Sequence, residues 1–227
     1  AVRSYFGDGS RLDLQIEYAV QDRQLGTGHA LLAAQDLAES SFLVLNGDVL
    51  PDGPSLLALA SRRPAVSAIP VKDPSRYGVF VGDRGRLKSV VEKSDSPPTN
   101  LANAGIYHFG TSIFDALRAI PLSERGEYEL TDALNLLAAR ESIAIVELSS
   151  WMEIGRPWDI LAADEILLKD QVGQIFGEVE SGATIKGTIS LGRGSIIRSG
   201  AYIQGPVLIG EDCDIGPNCF IRPTTCI

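Results

Sequence analysis

From Val179 onward one aliphatic register runs without a slip. Val179, Ile185, Leu191, Ile197, Ile203, Ile209, Ile215, Ile221 and Ile227 recur at every sixth position. Four residues after each of the first eight stand Ala183, Ile189, Ser195, Ala201, Val207, Cys213, Cys219 and Thr225, most of them small. Gly192, Gly210 and Gly216 directly follow an aliphatic. A six-residue unit makes one short strand and one turn, and three units close a triangular coil of about 18 residues. The aliphatic fills the coil, the small residue fits near a corner, and glycine or asparagine tolerates the turn. A hairpin series would alternate with period two instead. The pattern therefore predicts a left-handed β-helix over residues 171–227. At this length it makes fewer than three coils and ends within a repeat, so a C-terminal continuation is expected.

Residues 1–170 alternate between strand and helix patterns. Ala1–Phe6 looks like the end of a helix, and Leu12–Val20 alternates like a strand. Thr27–Glu39 reads as a helix and Phe42–Leu45 as a short buried strand. Pro54–Ser61 reads as a helix and Ala65–Val71 as a second buried strand. Tyr77–Val81 and Arg86–Glu92 form a predicted hairpin turning at Gly82-Asp83-Arg84-Gly85. Strands follow at Ala104–Phe109 and Ile143–Leu148, and helices at Ser112–Ile120, Leu130–Arg140 and Pro157–Lys169. The order predicts an α/β domain, a Rossmann-like mainly parallel sheet with an antiparallel insertion, ahead of the repeat domain.

Composition narrows the classes. The chain has 227 residues and a net charge of −9. An acidic surface disfavours nucleic acid and anionic lipid as partners. No apolar run approaches a membrane span and no basic-apolar leader opens the chain, so a cytoplasmic protein is expected. Cys213, Cys219 and Cys226 are odd in number and clustered, a poor disulfide framework. The only histidines, His29 and His108, are too remote in sequence to complete a cysteine metal site. Cys213 and Cys219 occupy the small-residue slot of the repeat, which accounts for them without chemistry.

Two segments carry candidate chemistry. Phe42–Asp48 is a buried strand running into a carboxylate, and ligands in open α/β sheets bind beyond the carboxyl ends of strands. Gly47 allows close backbone approach. Asp48 is either a hard-cation ligand, as for Mg2+, or a turn former. Gln21–Leu31 places Gly26 and Gly28 before a helix whose free N–H groups suit polar or anionic ligands. His29 reads as a helix-start or packing residue rather than a catalyst.

Seven motifs, Gln21…GTGHAL, LVLNGDV, DPSRYGVF, VVEK, NAGIYHF, GEYELTD and WMEIGRPWDIL, follow one another over nearly all of residues 1–165. In this order they resemble the sugar-1-phosphate nucleotidyltransferases. The likeness is nearest to bifunctional N-acetylglucosamine-1-phosphate uridylyltransferases and their archaeal relatives, which also carry a left-handed β-helix. The resemblance implies roles for particular residues. Gln21 would hydrogen-bond the pyrimidine base, with Gly26 and Thr27 packed against the nucleotide. Asp48 would bind the metal. Tyr77 and Gly78 would form the loop at the sugar, with Glu92 accepting from sugar hydroxyls, Lys93 near the sugar phosphate and Asn103 holding the sugar. Glu153 stands where relatives have Asp or Asn completing the metal site, one methylene longer. Glu127 and Asp132 read as structural, with Glu129 or Thr131 capping a helix.

The resemblance implies condensation of a nucleoside triphosphate, UTP or dTTP, with N-acetylglucosamine- or glucose-1-phosphate, assisted by Mg2+. A homo-oligomer, a trimer through the β-helix, is expected of the full-length protein. The family's glycine-rich loop with its arginine and proline–lysine pair is absent from this sequence, so the chain by itself is expected to catalyse little. A non-catalytic regulatory homologue and acetyl transfer in later β-helix coils are the alternatives. Residues 179–227 contain no histidine for the latter.

Overall fold

The computed structural model describes residues 1–227 in full. The chain packs as two units, Ala1–Trp151 and Met152–Ile227.

In the first unit a short helix α1 (Val2–Phe6) opens the chain. It is followed by α2 (Thr27–Ala33), β1 (Ser41–Leu45), β2 (Val49–Pro51), α3 (Gly53–Ala60), β3 (Ala65–Pro70), β4 (Val79–Asp83) and β5 (Arg86–Val91). Next come β6 (Leu101–Gly110), α4 (Ser112–Ala119), α5 (Leu130–Ala138) and β7 (Ala144–Glu147), and then β8 (Trp151–Glu153), which begins at the last residue of this unit and continues into the second. The main sheet has the order β1-β6-β3-β7-β5-β4. β1, β3, β7 and β4 share one direction, while β6 and β5 run against them. The mainly parallel sheet expected from the sequence is not what forms: of the five neighbouring pairs in that order only β3–β7 is parallel, and the other four are antiparallel.

Both faces of the sheet are covered except at the edge strand β1, expected to be buried, where Leu43 and Leu45 are exposed. Along β6, Ile106 faces a core with Leu59, Ala65, Ala104 and Val146. Its neighbours Tyr107 and Phe109 belong to the larger core with Phe80, Phe114, Leu117 and Leu134. Period-two alternation on a central strand thus feeds two separate cores, as helices on both sides of a sheet require.

Local chemistry sets the ends of these elements. Asp52 caps α3, its carboxylate accepting from Ser55 N at 2.8 Å, with Pro54 in the first turn. In the β4–β5 hairpin, Arg84 (φ 50°) and Gly85 (φ 74°) make the two-residue turn.

Three expectations fail locally. Leu12–Val20 forms no strand. Ser10–Leu12 is a 3-10 turn, and Leu14 N and Ile16 N bond back to Gly9 O and Asp8 O. Leu12, Leu14 and Val20 are exposed, because alternation specifies a strand only where a partner edge exists. The helix from Thr27 ends at Ala33 and tightens into a 3-10 turn at Gln35–Leu37. Neither Glu129 nor Thr131 caps α5: Glu129 holds the cap position, but its side chain makes no cap bond.

The second unit carries helix α6 (Asp159–Lys169) and the repeat strands. The helix that the sequence assigns to residues 1–170 thus packs with the repeats, and just beyond it Gln171 Nε2 donates to Ser190 Oγ at 2.9 Å. The strands are β9 (Glu178–Val179), β10 (Thr184–Lys186), β11 (Ile189–Leu191), β12 (Ile196–Ile197), β13 (Tyr202–Gln204), β14 (Val207–Ile209), β15 (Asp214–Ile215), β16 (Phe220–Ile221) and β17 (Thr225–Cys226). They form three parallel three-stranded sheets, β9-β12-β15, β10-β13-β16 and β11-β14-β17. Each strand pairs with the one three repeats later, aligning Val179 with Ile197 and Ile215, and Ile185 with Ile203 and Ile221. Leu191, Ile197, Ile203 and Ile209 are fully buried. Ser195, Ala201 and Val207 occupy the small slot and are buried too, and Cys213 and Cys219 pack against the same core. All three thiols are free.

Of the three glycines that follow an aliphatic, only Gly216 (φ 103°) takes a left-handed turn conformation. Positive φ recurs three residues after the aliphatic, at Gly182, Gly194, Gly200, Asp212, Asn218 and Thr224. Gly, Asp and Asn fill five of these six places, because they tolerate the left-handed region at least cost.

Candidate active site

The GTG loop is built by close packing. A Cβ on Gly26 (φ 93°) would stand 2.8 Å from Glu127 Cβ, and one on Gly28 2.7 Å from Tyr128 O. The backbone zips here: Tyr128 N donates to Leu25 O and Gly28 N to Tyr128 O, each at 2.8 Å. Thr27 Oγ1 accepts from Leu130 N at 3.2 Å. The start of α2 is therefore tied to the segment Tyr128–Leu130 rather than left wholly open for an anion. Gln21 is half-buried over this loop, its Nε2 donating to Gly26 O at 3.1 Å and lying 3.0 Å from His29 Nδ1. His29 in turn stacks on Tyr128, ring centroids 6.2 Å apart.

A second cluster gathers Gly78, Glu92 and Asn103. Gly78 is buried, and its O accepts from Asn103 N at 2.8 Å. Glu92 Oε2 lies 2.9 Å from where a Cβ on residue 78 would be. Asn103 is held at both ends of its amide: Nδ2 donates to Tyr107 Oη at 2.8 Å, and Oδ1 accepts from Gly105 N at 3.1 Å. Burial pushes the Tyr107 hydroxyl up to about 12, with a further push from the Glu92 carboxylate, so it stays a neutral partner. Gly105 (φ 75°) seats Asn46 against β6, since a Cβ there would stand 2.6 Å from Asn46 Nδ2. Tyr77 meets Trp151 edge to face at 5.9 Å, and Trp151 Nε1 donates to Ala104 O at 2.9 Å.

The segment Ser123–Thr131 joins the two clusters. Its Glu127–Leu130 backs the GTG loop, while Arg125 reaches the other side. Arg125 donates Nε and Nη2 to Glu129 Oε1 at 3.1 and 2.6 Å, and Nη2 is 3.9 Å from Glu92 Oε1. Ser123 Oγ also donates to Glu129 at 3.2 Å. Thr131 is 8% exposed, its Oγ1 has no partner, and its methyl lies 3.7 Å from the Gly78 Cβ position. Sequence reasoning gives no role to Arg125 or Trp151 and reads Thr131 only as a helix cap.

The remaining candidates stand apart. Asp48 lies in the turn after β1, exposed, its carboxylate engaged by no protein group. Lys93 is exposed beside Glu92. Glu153 is exposed on β8, in the second unit. No group of three or more His, Cys, Asp or Glu side chains is gathered closely enough to hold a metal ion. No helix is long and apolar enough to cross a membrane.

Known proteins align with this architecture. The nucleotidyl transferase family model matches residues 1–170, and the bacterial transferase hexapeptide model, of six repeats, matches residues 188–223. "Bifunctional protein GlmU" of Methanococcus vannielii is 38% identical over 219 residues, 93% of this chain and 53% of that protein. The "bifunctional sugar-1-phosphate nucleotidylyltransferase/acetyltransferase" of Sulfurisphaera tokodaii is 39% identical over 205 residues, 88% of this chain and 51% of that protein. The chain spans about half the length of these curated relatives. Among solved structures, a putative glucose-1-phosphate thymidylyltransferase from Bacillus anthracis superposes with a TM-score of 0.66 at 26% identity, covering 76% of this chain and 73% of that one. A UDP-glucose pyrophosphorylase complexed with UDP-glucose shares the fold, with a TM-score of 0.63 at 24% identity over 75% and 73% of the two chains. With three quarters of its length matched by one family model, the chain belongs to the nucleotidyl transferase family.

Proposed function

We propose that this protein condenses a nucleoside triphosphate, UTP or dTTP, with a sugar 1-phosphate, N-acetylglucosamine- or glucose-1-phosphate, releasing pyrophosphate and a nucleotide-sugar. The supporting observation is the approach of the Glu92 carboxylate to the Gly78 backbone, with Asn103 bonded to that same backbone. A carboxylate accepts from sugar hydroxyls, and a fixed amide reads their positions. Gln21, Gly26 and Thr27 line the nucleotide side, Tyr77 and Gly78 the sugar side, and Lys93 serves the sugar phosphate. An oxygen of the sugar phosphate attacks the α-phosphorus and pyrophosphate leaves in line. The attacking phosphate is already ionised, so no side chain need act as base, and the work of the protein is positioning.

The donor chemistry of Asp48, an exposed carboxylate without a protein partner, fits a hard divalent cation such as Mg2+. The bound cation would neutralise charge developing on the phosphates.

We assign residues 1–170 to the transferase domain and residues 171–227 to a left-handed β-helix that serves trimer assembly in a cytoplasmic protein. The name of the S. tokodaii relative includes acetyl transfer. No residue of 171–227 is assigned to that chemistry.

The test is pyrophosphate release by the protein in its full natural length, with Mg2+ and a panel of nucleoside triphosphates and sugar 1-phosphates. Turnover with UTP or dTTP is expected. No turnover with any pair overturns the reading.

A further inference from the structure

The Gln21 amide is held in one orientation by two groups of opposite origin. Gly26 O, at 3.1 Å, can only accept, so the amide nitrogen must face it. The second N–H of that nitrogen points to His29 Nδ1 at 3.0 Å, which must therefore be the unprotonated ring nitrogen. Both donors of Nε2 are then spent inside the protein. The carbonyl Oε1, which no protein group engages, is what Gln21 has left to offer. His29 is itself set by α2 and by its stack on Tyr128. The charged groups of the facing segment, Arg125, Glu127 and Glu129, do not bond to it; Arg125 is engaged with Glu129.

We propose that His29 is a positioning residue: with the Gly26 carbonyl it locks the Gln21 amide so that the site presents an acceptor, and only an acceptor, to the nucleotide base. The inference rests on the reading that Gln21 meets the base. An acceptor there selects bases with an imide N–H at ring position 3, which uracil and thymine carry and cytosine lacks. Without the Nδ1 acceptor, the amide loses one of its two anchors and can present its NH2 side instead. The price of that freedom is discrimination, because a site built to accept from an N–H leaves a polar atom unpaired against the wrong base.

The geometry of histidine supplies its own controls. In His29→Asn, Oδ1 takes the place of Nδ1 two bonds from Cβ, keeping the acceptor and losing the ring. In His29→Phe, the ring that stacks on Tyr128 remains and the acceptor is lost. Steady-state kinetics of the protein in its full natural length, at saturating sugar 1-phosphate with UTP or CTP varied, separate the two. For His29→Phe, KM for UTP should rise about 3- to 10-fold with kcat within about twofold, and the preference for UTP over CTP should shrink. For His29→Asn both should return to within about twofold of the parent. A Phe variant that matches the parent, or an Asn variant as impaired as Phe, overturns the proposal. Titration calorimetry with UTP and CTP alone reads the same preference without turnover. If the parent turns over no pair, the transferase reading fails. If it turns over UTP but Gln21→Ala leaves KM unchanged, the base-contact reading fails. Both outcomes are distinct from a null result confined to His29.

Discussion

The Glu92 carboxylate occupies the space that a side chain on Gly78 would need, Oε2 standing 2.9 Å from the missing Cβ. The blocking atom is the free end of a flexible side chain. Gly78→Ala should therefore displace Glu92 rather than unfold the domain. The expected result is a kcat/KM for sugar 1-phosphate lowered about 10- to 100-fold, with stability changed by less than about 1 kcal/mol. Kinetics with the sugar phosphate varied, beside a thermal melt, check both halves. A large loss of stability would show that the glycine serves the fold instead.

Asp48 makes no contact that the fold depends on. Asp48→Asn keeps the shape and removes the charge, so turnover should fall at least about 100-fold while stability stays within about 0.5 kcal/mol. Pyrophosphate release and a denaturation curve on one preparation test this. Retained turnover would remove Asp48 from the metal role.

Asp132 gives a pH prediction. Burial first, and the neighbouring Glu129 second, hold its carboxyl above the usual carboxylate value. The folded state thus binds its proton more tightly than the unfolded chain does. Its contribution to stability is greatest below the unfolded pKa and is lost as pH rises through the folded pKa. Asp132→Asn should therefore stabilise the protein at pH 7, by under about 1 kcal/mol because the group is only half-buried, and the gain should vanish below about pH 3.5. Melting temperatures of the two proteins across pH 3 to 8 should converge at the acid end. A gain that persists at low pH would contradict the ionisation account.

Ile203 is fully buried between Ile185 and Ile221, its register partners in the neighbouring coils. Ile203→Ala should cost about 2–5 kcal/mol, because rungs fixed by backbone pairing collapse little around the cavity. Hydrogen exchange should quicken in β10, β13 and β16 before it does in the sheet of the first unit. Equal quickening in both units would mean that they unfold together.

The repeat region was legible because one side chain every six residues performs one task, and no other architecture keeps that register. The central strands were legible for a related reason: Ala65–Val71 and Ala104–Phe109 are mainly apolar on both faces. Phe42–Leu45, expected to be buried, instead forms the sheet edge with Leu43 and Leu45 exposed. Leu12–Val20 misled because alternation describes a ribbon without saying whether an edge waits for it. In the site, Gly78, Glu92 and Asn103 lie within 26 positions of sequence and converge through one hairpin and one strand. Arg125, Thr131 and the pairing of Gln21 with His29 depend on contacts between distant segments. Glu129 and Thr131, read from sequence as alternative helix caps, instead belong to the segment Ser123–Thr131, which backs the GTG loop on one side and reaches Glu92 on the other. A linear pattern shows which residues carry polar groups, but not which polar groups are already spent on one another.

The eighteen-residue pairing rhythm has a consequence for how such a chain can change length. Loss of one hexapeptide would leave every later aliphatic still pointing inward, since six residues is the spacing of the register. Every outward-facing residue beyond the cut would move on by one side of the prism. A cut between Tyr202 and Phe220, outward rings tilted against each other at 5.6 Å, would divide that pair between two sides. Loss of eighteen residues would shorten the coil and leave each side's decoration where it was. The interior therefore counts in sixes and the exterior in eighteens, so insertions and deletions that the core tolerates are filtered a second time by whatever the outer sides must recognise.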